Sequence, residues 1–551
     1  MILRRLYLYL VSAAALAVLA AGLVLLGGTI LLFVFNDPSA PYSRGQLAIF
    51  TAMTVVALPV WGVHSWFAQR FASRDPYERS SALRRLYLYW ACLVGSVAAM
   101  IAVTAVVVQL LQPVLDDDVI PFNGLTTSQA GWAAAVFAAI WASHFLIAWR
   151  DRAAAGEEGT SSTLRRWYMY IALLVGLLTM LAGTASLLQA AWTKAALDGT
   201  ARFYSLAGPA GLALGGLLLW AVHARLIAVK HLAEDRHSTL RATEGFIAVA
   251  ISIATALTGA AQILYYLLAR WLGVSDPGHA GSNFVAAAAG PGSQLLVYGV
   301  AWFLIRRRLQ RDAGIQEADR QAAIRRLYTN LAALISLAAW AAGAAILLST
   351  LAQQLEAPII GVKADDWKDQ ISLAATLTVV GVAVWMAHWR HAPWAADRQS
   401  LSRKLYVWAA LLGSVLAVLG AGVGLVNVIL QQTFSAHPRL NDPANLAFAG
   451  FLGILVVAVG VAVYHWRALR ADAAARPPKA AVAREIREPR VEVKPMAAAA
   501  PAAPVGAEAA GAHGRRYTLV VSDATEDDVH QALSNLPPQS SYKLTQTEQP
   551  G

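Results

Sequence analysis

One cysteine, Cys92, in 551 residues excludes an intramolecular disulfide and any cysteine-built metal site. Charge is scarce too: Asp, Glu, Lys and Arg make up 14% of the chain, against about 25% in an average soluble domain. With 57% hydrophobic residues and a mean hydropathy of +0.50, a soluble enzyme, a secreted disulfide scaffold and a disordered protein are all excluded. Catalytic motifs are missing. There is no Gly-Lys-Ser/Thr phosphate loop and no His-Glu-x-x-His zinc pattern, so no enzymatic activity is expected and no cofactor or metal is assigned. The densest acidic groups, Asp116, Asp117 and Asp118 and then Asp365, Asp366 and Asp369, read as solvated turns rather than cation sites.

What the sequence has is long apolar runs. Twelve recur up to position 467, at about 6–34, 46–69, 86–111, 130–149, 167–192, 206–229, 244–271, 288–307, 327–352, 370–389, 405–431 and 445–467. About 20 apolar residues cross a bilayer core, so the expected fold class is an all-α integral membrane protein with twelve transmembrane helices. None of these runs carries Asp, Glu, Lys or Arg near its middle, where coupled transporters commonly hold ionisable groups. Charge sorts by loop. One alternate set holds 26 Lys and Arg against 12 Asp and Glu, and the other holds 7 against 11. That is the positive-inside bias, which puts both termini in the cytoplasm and accounts for the net charge of +11 without nucleic acid.

The runs repeat in pairs. Arg4-Arg5-Leu6-Tyr7-Leu8-Tyr9 recurs as Arg84-Arg85-Leu86-Tyr87-Leu88-Tyr89, then with changes at Arg165-Arg166-Trp167-Tyr168, Arg325-Arg326-Leu327-Tyr328 and Arg403-Lys404-Leu405-Tyr406. A degraded copy starts at Arg241, where Glu244 takes the tyrosine position. The second helix of each pair closes on Trp61-Gly62-Val63-His64, Trp141-Ala142-Ser143-His144, Trp220-Ala221-Val222-His223 and Trp385-Met386-Ala387-His388, with Ala462-Val463-Tyr464-His465 as a variant. The fourth pair has Ala301 instead of the histidine. Six tandem two-helix units result, at about 1–80, 81–161, 162–237, 238–320, 321–399 and 400–468, forming a membrane domain over 1–468. Because the Arg-Arg-Leu-Tyr opening recurs internally, residues 1–22 read as the first span rather than a cleaved signal.

Beyond the last span, 469–514 is rich in Ala and Pro and reads as a linker. Residues 515–551 read as a small cytoplasmic β-α-β segment, too small to bury a core alone and suited to docking on a partner or on its own copy.

The repeated Arg-Arg-Leu-Tyr opening, paired with a helix ending in Trp-x-x-His, resembles the bacterial multi-pass membrane family named domain-of-unknown-function family 5671. The resemblance covers about 2–467 and implies helical pairs in a membrane. It carries no activity.

Two readings compete for Tyr7, Tyr87, Tyr168, Tyr328 and Tyr406 with His64, His144, His223, His388 and His465. Tyrosines begin odd spans and histidines end even ones, so all ten share one cytoplasmic depth. The structural reading is an interfacial set of Trp, Tyr and His anchors in which tyrosine hydroxyls meet imidazoles. Joint replacement at Glu244 and Ala301 favours that contact. The alternative makes the five histidines haem or metal ligands. Gly176 and Gly183, and likewise Gly413, Gly420 and Gly422, read as helix-packing positions. The functional expectation is a multi-pass scaffold or sensor-like interaction protein of the bacterial inner (plasma) membrane, with lipid and a cytoplasmic protein as partners. A weakly coupled transporter of a small neutral or lipid-like solute is second, and a haem-binding membrane protein third.

Overall fold

The computed structural model describes residues 2–474 apart from 39, 116–124, 158, 198–204, 232–234, 237, 280, 314–318, 362–366, 390–397, 399 and 435–446. The expected β-α-β segment and most of the linker therefore lie outside the described residues, as do Asp116, Asp117, Asp118, Asp365 and Asp366.

Twelve long helices follow one another: α1 (Ile2–Val34), α2 (Arg44–Arg74), α3 (Ala82–Leu115), α4 (Thr127–Ala155), α5 (Thr160–Ala196), α6 (Ala207–Lys230), α7 (Thr239–Trp271), α8 (Ala289–Ala313), α9 (Asp319–Ile360), α10 (Trp367–Trp389), α11 (Leu401–Phe434) and α12 (Ala447–Ala474). All twelve are long and apolar enough to cross a bilayer. Local chemistry sets several ends. Asn36, at φ 51°, closes α1 as the Asp37 amide reaches back to the Leu32 carbonyl. Thr126 and Gln129 form a capping box that starts α4.

Helices overrun the apolar runs at the arginine end. α5 starts at Thr160 rather than 167, α9 at Asp319 rather than 327, and α12 continues to Ala474 rather than 467. This corrects the linker boundary at 469: Arg403 pairs with Asp472, so that stretch is still helix. Hydropathy sees only the apolar part, whereas Ala, Arg, Glu and Lys propagate a helix well.

Consecutive helices pair, α1 with α2 through to α11 with α12. Each odd helix also touches the next odd helix, and each even helix from α4 onward lies against its own odd partner and the preceding odd helix. The result is a staircase. Among the described residues no substantial contact joins the first pair to the last, so the row is open rather than closed around an axis. Apolar clusters bridge neighbouring pairs. Leu88 and Cys92 of α3 pack with Tyr168 and Ala172 of α5 and Leu219 of α6, and Leu337 of α9 packs with Val407 of α11 and Val461 of α12.

Backbones approach closely between α5 and α6. A Cβ on Gly176 would stand 2.6 Å from the Trp220 nitrogen, and one on Gly183 2.3 Å from the Ala213 nitrogen. Without a hydrophobic drive between helices in lipid, small residues admit this contact. Gly413, Gly420 and Gly422 do not play that part: each faces open space within 4 Å. α11 belongs to the last pair, and no following pair covers that face.

Candidate functional site

The chemistry concentrates at the end of the row that carries the arginines. Each histidine of the Trp-x-x-His motifs uses Nδ1 on the carbonyl one helical turn earlier: His64 on Val60 at 2.7 Å, His144 on Ile140 at 2.8 Å, His223 on Leu219 at 2.9 Å, His388 on Val384 at 2.8 Å and His465 on Val461 at 2.9 Å. A carbonyl can only accept, so the proton sits on Nδ1 and Nε2 is left as an acceptor. In three pairs a tyrosine hydroxyl fills it. Tyr87 donates to His144 at 3.1 Å, Tyr168 to His223 at 2.9 Å and Tyr406 to His465 at 2.9 Å. The other two predicted partners meet through their rings, Tyr7 with His64 and Tyr328 with His388, at centroid separations of 5.7 Å in both.

The tryptophan of the same motif points elsewhere, to the next pair. Trp61 donates to the Tyr87 hydroxyl at 3.2 Å, Trp141 to Tyr168 at 2.8 Å and Trp385 to Tyr406 at 2.8 Å. One tyrosine oxygen therefore accepts from the preceding pair and donates within its own. His144, His223 and His465 are 3%, 0% and 1% exposed, so they face the interior of the bundle rather than headgroups. The tyrosine two residues on continues the link between pairs: Tyr9 packs on Tyr87, and Tyr89 stacks on Tyr168.

Beside this aromatic layer runs an ionic one that the sequence reading missed. Among the described residues, the first arginine of five openings reaches a carboxylate in the last turns of the second helix or just beyond it. Arg84 pairs with Asp151 at 2.6 Å, Arg165 with Asp235 at 2.9 Å, Arg241 with Asp312 at 2.7 Å and Arg403 with Asp472 at 2.7 Å. Glu78 takes both Arg4 and Arg5. Arg84 and Arg165 are buried, and they replace lost hydration with several bonds each. Arg84 also donates to the Ala68 carbonyl and to Gln69, while Arg165 donates to Glu157 at 2.7 Å. Asp235 collects Arg165, Arg166 and the Tyr170 hydroxyl, and Glu157 takes the Tyr89 hydroxyl at 2.5 Å.

Between α6 and α7 this network perturbs two groups. Burial would raise the Asp235 carboxyl, but hydrogen bonds from Arg165 and Arg166 outweigh it and hold it below the usual range. His231 is pushed down to about 3, first by burial and then by the positive charges of Arg165 and Arg152. It stays neutral and accepts from Arg152 Nη1 at 2.7 Å.

The fourth pair exchanges rather than simply loses its site. Glu244, in the tyrosine position, forms an ion pair with Arg308 of α8. Arg308 stands seven residues after Ala301, the offset at which Asp151 follows His144 and Asp472 follows His465. A neutral tyrosine–imidazole contact has become a charged one. Phe246 still packs on Tyr328, so stacking onto the fifth pair continues.

A sequence signal for the ionic layer existed. The paired arginines and aspartates are separated by 67, 70, 71 and 69 residues. Chemically the arrangement staples helices. Both imidazole nitrogens are engaged in three pairs, and ligation of a metal or haem there would require breaking a buried tyrosine contact.

A family model described as a domain of unknown function (DUF5671) matches residues 5–139, 122–198 and 326–460. The fourth pair lies outside these stretches. No curated protein and no solved structure gives a match.

Proposed function

The chain belongs to the DUF5671 family, and from that premise we propose that it is a non-enzymatic membrane scaffold of the bacterial inner membrane. In this reading six units inserted alike hold their arginines and both termini in the cytoplasm, and residues 515–551 engage a cytoplasmic protein or a second copy. The observation that carries it is the pair-to-pair stapling. Trp61–Tyr87–His144, Trp141–Tyr168–His223 and Trp385–Tyr406–His465 lock neighbours together at one end, beside buried arginine–carboxylate pairs. Such a row behaves as a quasi-one-dimensional array, rigid between neighbours and extended as a whole. A transporter that rocks about a central site needs two bundles to move against each other. An open row stapled from pair to pair suits display better than alternation.

The test is affinity capture from membranes with the full chain and with a chain truncated before residue 515. Loss of a specific partner, or of self-association, on truncation supports the scaffold reading. Unchanged partners and unchanged oligomeric state count against it.

A further inference from the structure

At the end away from the arginines, α5, α7 and α8 part to leave a cavity of about 560 Å³. We infer that this cavity is a binding site for a small uncharged polyhydroxyl group, such as a monosaccharide. The inference rests on the cavity alone and is independent of the scaffold reading.

Three amides from three helices converge there: Gln189 of α5, Gln262 of α7 and Gln294 of α8. Each offers two donors and an acceptor. Among the described residues, none of the three side chains has a hydrogen-bond partner within the protein. Gln262 lies nine residues before the end of α7, about 13 Å down the helix. Gln189 and Gln262 are exposed at the cavity and Gln294 is half-buried, so all three amides are open to an incoming group that can hydrogen-bond to them. Thr193 and Tyr266 add two hydroxyls, one turn along from Gln189 and Gln262, on the same helix faces.

The lining holds no charged residue. A charged ligand would leave water without a counter-ion, whereas hydroxyls match amides in both donor and acceptor roles. The volume falls in the range of small-molecule pockets. The mouth is already shaped. Asn283 is committed to the wall, accepting from the Val285 and Ala286 amides and donating to the Ala196 carbonyl at 3.1 Å, which ties the connection before α8 to the end of α5. Gly290 completes it: a Cβ there would stand 3.3 Å from Gln189 Nε2, so its absence lets that amide lie against α8. Two of the three amides come from the fourth pair, which departs from the Tyr–His pattern at its other end.

Hydroxyls of this kind come from a free sugar or from a glycolipid headgroup, and the experiment separates them. The full chain is reconstituted in nanodiscs of phosphatidylethanolamine and phosphatidylglycerol. Thermal unfolding is then followed against glucose, and separately against monoglucosyl diacylglycerol in the bilayer. A saturable rise in midpoint with glucose identifies a soluble ligand class, and a rise with the glycolipid alone identifies a headgroup. The double variant Gln262→Leu/Gln294→Leu should keep its ligand-free midpoint and bind at least about tenfold more weakly. If it does not fold, Gln262→Glu takes its place and should also lose binding. Gluconate and glucosamine should bind at least about tenfold more weakly than glucose. The inference is overturned by no saturable shift with either ligand, by a shift that survives the substitutions, or by gluconate matching glucose.

Discussion

Tyr168 satisfies two neighbours with one oxygen, accepting from the half-buried Trp141 of the preceding pair and donating to the buried His223 of its own. Tyr168→Phe keeps the ring and orphans both partners. The buried orphan His223 costs about 1–3 kcal/mol and the half-buried Trp141 about 1 kcal/mol or less, so the expected loss is about 1–4 kcal/mol. Tyr7, 61% exposed and in ring contact only, is the control; Tyr7→Phe should change stability by less than about 0.5 kcal/mol. Thermal unfolding of both variants in the same detergent checks the contrast. The ionic layer makes a second prediction at this scale. Asp235 and His231 both sit below their ordinary pKa values in the folded chain. The unfolded chain therefore binds more protons as pH falls, and stability is lost on acidification. His231 acts first, from its unfolded value near 6.5 down towards 3, and Asp235 follows below about 4. The unfolding midpoint should fall between pH 7 and pH 5. His231→Gln, which can still accept from Arg152, should flatten that slope. A slope unchanged by the substitution would assign it elsewhere.

At the scale of the helix, packing distinguishes glycines that the sequence presents alike. Gly183→Val drives a side chain into the α6 backbone and should destabilise by about 1–3 kcal/mol or more, whereas Gly420→Val meets open space and should be nearly neutral. Unfolding midpoints of the two variants read this directly. Gly183 and Gly420 sit in similar apolar runs; which one is covered depends on where its pair stands in the row, and no spacing encodes that. The spans themselves were legible, because apolar length and the recurring arginines mark them independently of packing. The helix overruns were not, since Arg403 and Asp472 look like loop charges until each is seen to neutralise the other. The aromatic cluster was half legible. Tyrosine and histidine fall at one depth by simple counting, but Trp141 in its closing Trp-x-x-His motif resembles a headgroup anchor, and only the fold turns it towards Tyr168. The carboxylates escaped because their distance from the histidine drifts: Asp151 is seven residues beyond His144, and Asp235 is twelve beyond His223.

Across the described helices, the Trp–Tyr–His and arginine–carboxylate staples share one end, and that asymmetry gives the proposed orientation a physical basis. Buried arginines need carboxylate partners, and with them the positive ends remain at an interface rather than entering lipid. The far end carries uncharged amides and the turn at Asp276. Cysteine labelling tests this cleanly, because the sole native thiol, Cys92, is 0% exposed in a cluster with Leu88 and Tyr168 and should stay silent. Tyr77, 80% exposed between the first and second pairs, marks the arginine end, and Ser275 marks the opposite one. With the arginines inside, a membrane-impermeant maleimide added to intact spheroplasts should label Ser275→Cys at once. Tyr77→Cys should react only after permeabilisation. The reverse pattern would invert the whole row, and equal labelling at both positions would show that the six pairs do not share one direction of insertion.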